Sequence, residues 1–190
     1  RGLDCISSNH GRCFEYVNVE TVLDGYYARV IREWYTHIGG APTRLQESTR
    51  YVDCKSFNYI TPKKVASSCE AIDVYDRAMR FIMGIPTFFL VSYHIPGQNA
   101  ILLTTMLLPL GMATKIVDKR NLRNLADMSR NRKCSRAYWE YRELFRDLEK
   151  ALSEYSDEWA TLVEMLFKPK CEVLGYCPEK NGCGRFRKGE

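Results

Sequence analysis

Apolar residues from Val19 to Ile38 fall at positions 19, 22, 23, 26, 27, 30, 31, 34, 35 and 38. That three-and-four spacing predicts an amphipathic helix, capped at its start by Asn18 and ended by Gly39-Gly40 with Pro42 behind them. Residues 41–68 show no sustained period and carry Pro42, Pro62, Asn58 and several serines. They read as a long surface connection anchored at Cys54. A second helix is predicted to begin after Ser67 or Ser68, with Ala71, Val74, Tyr75, Ala78, Met79 and Ile82 on one face, and to break at Gly84-Ile85-Pro86.

From Phe81 to Val117 the chain is almost entirely apolar, interrupted by Pro86, by His94 with Pro96-Gly97, and by Pro109 with Gly111. Two readings compete. Residues 87–95 and 99–116 are either central helices touching neighbours on most sides, or the arms of an apolar hairpin that enters a membrane. Each arm is shorter than the roughly 20 residues needed to span a bilayer, so the stretch is assigned to the core. Lys119 to Met128 reads as a short helix with Leu122, Leu125 and Met128 inward. Across Ser135 to Phe167 an apolar and aromatic stripe continues without glycine or proline until Pro169, which predicts one helix about 50 Å long. Four to five helices and no convincing alternating strand predict an all-α helical bundle, with residues 1–190 as a single domain.

Composition adds a compartment. The 190 residues are 45% hydrophobic and 27% charged, as in an ordinary globular protein, but they include eight cysteines. An even, high count predicts four disulfides and a secreted, extracellular protein. Metal binding is the competing reading of the cysteines. Only His10, His37 and His94 are present, no Cys-x2-Cys pair occurs, and the five-residue gaps between Cys171, Cys177 and Cys183 do not match a zinc knuckle. Arg1-Gly2-Leu3-Asp4-Cys5 lacks an apolar run and reads as a mature N-terminus left by signal-peptide removal. No Asn-x-Ser/Thr triplet occurs, so N-glycosylation is not expected.

No catalytic signature stands out. His94, in the apolar Tyr93-His94-Ile95-Pro96 turn, reads as a structurally satisfied histidine, and His10 lies between two nearby cysteines. The pairs Asp73 with Asp76 and Asp157 with Glu158 read as solvated charge on helix faces. No phosphate-binding glycine loop is present. These observations point to a protein that is not an enzyme and that carries neither cofactor nor metal.

Charge says more. Net charge is +5, and Arg120, Arg123, Arg130, Arg132, Lys133 and Arg136 fall close together against few carboxylates, with Arg185-Phe186-Arg187-Lys188 as a second basic cluster. The stretch is either an ordinary solvated surface or a surface for an acidic partner: an acidic receptor face, an anionic glycan or lipid head groups, but not nucleic acid. Trp139, one position off the main stripe, is the candidate exposed anchor for a partner.

The cysteine layout, with Cys54 followed by Thr61-Pro62 and a closely spaced Cys177 and Cys183 at the end, resembles that of the prolactin and growth-hormone family of helical hormones. The resemblance implies bridges Cys5–Cys13, Cys54–Cys171 and Cys177–Cys183, leaving Cys69 with Cys134, and short loops at 5–13 and 177–183. The leading expectation is therefore a secreted hormone- or cytokine-like ligand that binds an extracellular protein receptor. A membrane-active toxin or gamete-surface factor using residues 81–117 is the alternative, and a lipid or pheromone carrier the third.

Overall fold

The structure, a computed structural model, describes residues 2–8, 10–49 and 52–189. Arg1, the first residue of the expected processed N-terminus, lies outside them. The chain divides into two compact units, one of Arg1–Thr21, Thr36–Thr43 and Asp118–Glu190, the other of Val22–Tyr35 and Arg44–Val117.

The architecture is α/β, not an all-α bundle. A three-stranded sheet has the order β1-β3-β2, with β1 at Asn18–Tyr27, β2 at Thr43–Gln46 and β3 at Ala113–Asn121. β1 and β3 run antiparallel, since Glu20 pairs with Lys119 at 2.9 Å while Asp24 pairs with Lys115 at 2.7 Å. The expected helix over 19–38 is instead β1 followed by the short helix α2, Ala28–Tyr35 (α1 is Gly2–Ser7). Val19 and Leu23 are buried with Thr21 half-buried between them, the alternation of a strand, and β-branched and aromatic residues favour that state. Gly25, at φ +74°, interrupts the run where a side chain would be strained.

β3 is the second departure from the expected helices. Thr114, Ile116, Asp118 and Arg120 are buried while Lys115, Val117 and Lys119 face out. It leads into α5, Leu122–Arg132, where Leu122, Leu125 and Met128 are buried as the sequence predicts. Asn121 caps this helix by accepting from the Asn124 N–H at 2.8 Å.

The expected single helix over 135–167 is two, α6 at Trp139–Tyr155 and α7 at Asp157–Leu166. Ser156 is fully extended (φ −165°, ψ 163°) and its hydroxyl accepts from the Trp159 N–H at 3.3 Å, which ends one helix and starts the next. The first unit's core holds Leu144, Phe145, Leu148, Val163 and Phe167, with the Phe145 and Phe167 rings 5.5 Å apart, edge to face.

In the second unit, α3 covers Cys69–Tyr93 and runs through Pro86, so the break expected at 84–86 is absent. Ser68 caps it, and His94 closes it in the left-handed conformation (φ 52°). Phe57, Met79 and Met112 form the buried centre, with Tyr59, Tyr75 and Ile82 packed around them. The second half of α3 and α4, Gly97–Thr105, are not central helices. Phe81 is 73% exposed, Met106 82%, and Phe88, Val91 and Leu102 also face out. Among the described residues, no helix is long and apolar enough to cross a membrane.

All eight cysteines are thiols, so none of the four expected bridges is present and the loops at 5–13 and 177–183 are not disulfide loops. Cys54 is buried (1% exposed) as a small apolar side chain in the 41–68 segment, with no bond to Cys171.

Candidate functional site

The buried polar residues of the first unit collect where β3 gives way to α5. Alternation along β3 sends Asp118 and Arg120 inward, at 0% and 2% exposure. Arg120 grips the carboxylate with both edges, Nε to Oδ2 at 2.5 Å and Nη2 to Oδ1 at 2.9 Å. Its Nη1 donates to Asn124 Oδ1 at 2.7 Å and to the His37 carbonyl at 3.3 Å. A buried charge is tolerated because carboxylate and carbonyl acceptors satisfy it on several sides.

The segment 36–43 is held against this end of α5 by glycine. Gly40 sits at φ +73°, and a Cβ there would collide with the Asn121 side-chain amide. At Gly39 a Cβ would stand 3.0 Å from Asn124 Nδ2. The Gly39-Gly40 pair, expected only to stop a helix, lets the backbone carrying His37 approach the cap of α5.

His37 is half-buried and faces Arg132, whose Nε donates to its Nε2 at 2.8 Å. The Arg132 guanidinium also lies 4.7 Å over the ring of Tyr141, which is fully buried, and the His37 and Tyr141 rings meet edge to face at 6.3 Å. Burial, then the charges of Arg132 and Arg120, push the His37 pKa down from 6.5 to about 4. The ring is therefore neutral at physiological pH. Since Nε2 accepts, the ring proton resides on Nδ1. The site is a neutral imidazole donor in a positive electrostatic potential.

The residues expected to form one basic binding surface divide into different roles. Arg120 is buried structure and Arg132 belongs to the histidine cluster. Arg123 pairs with Glu15 at 2.5 Å and Arg130 with Asp127 at 3.3 Å, both on the surface. Lys133 pairs with Glu149 and donates to the Phe167 carbonyl at 2.7 Å. Arg136 donates to the Asn181 carbonyl at 3.2 Å and lies 3.6 Å from Glu179. Trp139 is half-buried as the first residue of α6, not an exposed anchor. His10 and His94 are exposed, so His94 is not a satisfied interior histidine. Asp73, expected as solvated charge, pairs with Arg77 on the surface at 2.8 Å, whereas Asp76 accepts from the part-buried Tyr59 hydroxyl at 2.9 Å.

Sequence reasoning passed over His37, Asp118, Asn121 and Asn124. The available signal was a histidine followed two residues later by a glycine pair, and a period-two pattern from 114 to 120.

Fold and cluster together define an α/β protein with a half-buried cationic site suited to an anionic group such as a phosphate. Residues 3–155 match the model of the thymidylate synthase complementing protein family, and the chain belongs to that family. It is 28% identical over 189 residues to a flavin-dependent thymidylate synthase of Nitratidesulfovibrio vulgaris, an alignment covering 95% of this chain and 74% of that protein. A flavin-dependent thymidylate synthase of Pyrococcus furiosus is 35% identical over 145 residues, covering 72% of this chain and 55% of that one. The chain thus spans about three quarters of the first relative and just over half of the second. The crystal structure of thymidylate synthase X from Helicobacter pylori with FAD and dUMP shares the fold, with a TM-score of 0.62 at 17% identity over 85% of this chain and 78% of that one.

Family membership overturns the hormone resemblance and the reading as a non-enzymatic ligand, toxin or carrier, because the relatives are enzymes. The extracellular receptor and the secreted location fall with it, since the relatives are flavin-dependent thymidylate synthases and the neighbouring structures hold FAD and dUMP.

Proposed function

We propose that this chain is a flavin-dependent thymidylate synthase, which adds one carbon to C5 of the uracil ring of dUMP. The flavin, when bound and reduced by an external reductant, would supply the reducing electrons. Family membership supports the reaction class, and the observation that carries the reading to particular residues is the seating of His37 against Arg132 with Arg120 behind it. The donor set fits a phosphate, either that of dUMP or those of FAD, because a guanidinium and a neutral imidazole N–H are complementary to phosphate oxygens.

Each residue then has a task. Arg132, oriented by Tyr141 beneath it and by His37 beside it, presents a fixed cation. His37 stays neutral, so its Nδ1–H donates without titrating near neutral pH. Arg120 binds no ligand in this reading. It fixes the carbonyl of His37 and the side chain of Asn124, and so positions the loop.

Calorimetric titration tests the binding step. Binding of dUMP with deoxyuridine at least tenfold weaker is expected, the phosphate supplying about 1.4 kcal/mol or more. Arg132→Gln should remove most of that preference while Arg123→Gln leaves it. Turnover is tested by formation of dTMP from dUMP with FAD, a reductant and a one-carbon donor. A folded protein that forms no dTMP and binds dUMP no better than deoxyuridine overturns the reading.

A further inference from the structure

Cations collect around one cavity of the first unit. The short C-terminal helix α8, Lys170–Leu174, packs against α5, and the arm beyond it passes back over the connection from α5 to α6. Between them lies a cavity of about 440 Å³, lined by residues 130–137, by Arg142 and by parts of the arm from Pro169 to Arg185. Seven lining residues are Lys or Arg, against the single carboxylate of Glu179. Four of these cations have a carboxylate of their own. Arg130 pairs with Asp127, Lys133 with Glu149, Arg136 with Glu179 and Arg185 with Glu172. Arg132 is oriented by His37 and Tyr141.

Arg142 and Lys170 differ from the other five. Among the described residues neither side chain makes a hydrogen bond or an ion pair, and the Arg142 Nε–H is buried without an acceptor. A guanidinium keeps its charge at every physiological pH. Deprotonation therefore offers no escape, and the buried donor stays costly until an acceptor reaches it. The rest of the wall describes what else a ligand carries. Cys134, Cys171, Cys177 and Cys183 line it as thiols, an apolar surface, while Ser135 and Asn131 add a hydroxyl and an amide. No aromatic ring lines the cavity among the described residues, so nothing there stacks a nucleobase. Its volume falls among the roughly 300–1,000 Å³ of pockets that take small organic ligands, more room than a lone anion needs.

We propose that this cavity binds a small aliphatic phosphate ester, of the sugar-phosphate class, with its phosphate held by Arg142 and Lys170. A phosphate monoester carries about two negative charges at neutral pH, which these two cations match. The guanidinium fork meets two phosphate oxygens at once, and Lys170 adds a point charge. Ser135 and Asn131 supply partners for the hydroxyls of the organic part. The donors already stand on the cavity wall, so binding requires no rearrangement of the chain. The arm and Lys170 lie beyond residue 155, where the family match ends, and the inference does not rest on the proposed reaction. Arg132 touches both this cavity and His37, so it is not used to test either site against the other.

Calorimetric titration of the full chain with ribose 5-phosphate, ribose, inorganic phosphate and succinate tests the proposal. Ribose 5-phosphate should bind about tenfold more tightly than any of the other three, or better. Arg142→Gln should weaken it about tenfold and Lys170→Gln about threefold, since each removes a charged donor. Arg77→Gln, which takes the same charge from a surface ion pair of α3, should leave it unchanged. Neither Arg142 nor Lys170 has a native side-chain partner to lose, so both variants should keep the native melting temperature. Should Arg142→Gln fail to fold, Lys170→Gln on the exposed face of α8 decides. The preference for dUMP over deoxyuridine should survive Arg142→Gln, which separates failure of this site from failure of the proposed function. Inorganic phosphate or succinate binding as tightly as the ester would mean an adventitious ion only, and overturns the proposal. Equal losses in Arg142→Gln and Arg77→Gln, loss of the dUMP preference in Arg142→Gln, or displacement of ribose 5-phosphate by a lower concentration of dUMP overturns it as well.

Discussion

Replacing Asp118 with asparagine keeps the shape of the side chain but removes the charge that Arg120 is built around. Both groups are essentially inaccessible to water, and the guanidinium makes two bonds to the carboxylate, at 2.5 and 2.9 Å. Charge centres about 4 Å apart attract by about 4 kcal/mol at an effective dielectric of 20. Removing one partner from a buried pair costs roughly 3–5 kcal/mol, because the remaining charge stays desolvated and unpaired. Asp118→Asn should therefore lose about that much in urea unfolding, a large fraction of the roughly 5–15 kcal/mol that holds a typical protein folded. Arg120→Met should lose a similar amount. The double variant Asp118→Leu/Arg120→Met should lose far less than the two singles together, since an apolar pair incurs no charge burial. Some loss remains in the double, because Arg120 also donates to Asn124 Oδ1 and the His37 carbonyl, each worth about 1 kcal/mol. A single-variant loss under about 1 kcal/mol, or a double variant whose loss equals the sum of the singles, would refute the reasoning.

Two further predictions concern the same loop. His37 is held near pKa 4 against 6.5 in the unfolded chain, so the unfolded state takes up a proton first, and its stabilising contribution is complete above pH 6.5 and lost as pH falls toward 4. For a half-buried ring the loss is about 1–2 kcal/mol, absent in His37→Gln, and an imidazole resonance titrating near 6.5 in the folded protein would contradict it. Gly40→Ala combines a left-handed backbone with a collision against Asn121, whereas Gly25→Ala has the same backbone strain with open space around it. Gly40→Ala should cost about 2–4 kcal/mol and Gly25→Ala about 1, and equal melting-temperature losses would show that the close approach at Gly40 is unimportant.

How much of this was legible in the sequence depended on whether a residue's surroundings were ordinary. The start of α3 after Ser68 and the inward face of α5 at Leu122, Leu125 and Met128 follow from capping and periodicity. β3 did not follow, for a reason tied to its role. Two of its five buried positions are Asp118 and Arg120, and Thr114 and Asn121 are polar as well, so the inward face of the strand looks polar in sequence. The ion pair that builds the site is what disguised the strand that carries it. β1 was lost differently, because buried Val19 and Leu23 also satisfy a four-residue spacing and run into a true helix at Ala28. The break at Ser156 is invisible to an apolar stripe that continues in phase across it.

The cysteines show a stricter limit. Parity and number carried the reading from eight thiols to four bridges and from bridges to secretion, yet neither quantity says where a cysteine lies. Space separates them into kinds. Cys54 is buried as a small apolar side chain, Cys69 is exposed at a helix start, and Cys134, Cys171, Cys177 and Cys183 surround one cavity. Spacing along the chain missed the last group because Cys134 lies 37 residues before Cys171, and the contact of α8 with α5 brings the two segments together. The same contact places the cationic end of α5 beside the cavity. The basic run that suggested an acidic partner thus gathers at one place in the first unit: Arg132 donates to His37 and also lines the cavity, beside Arg130, Lys133 and Arg136.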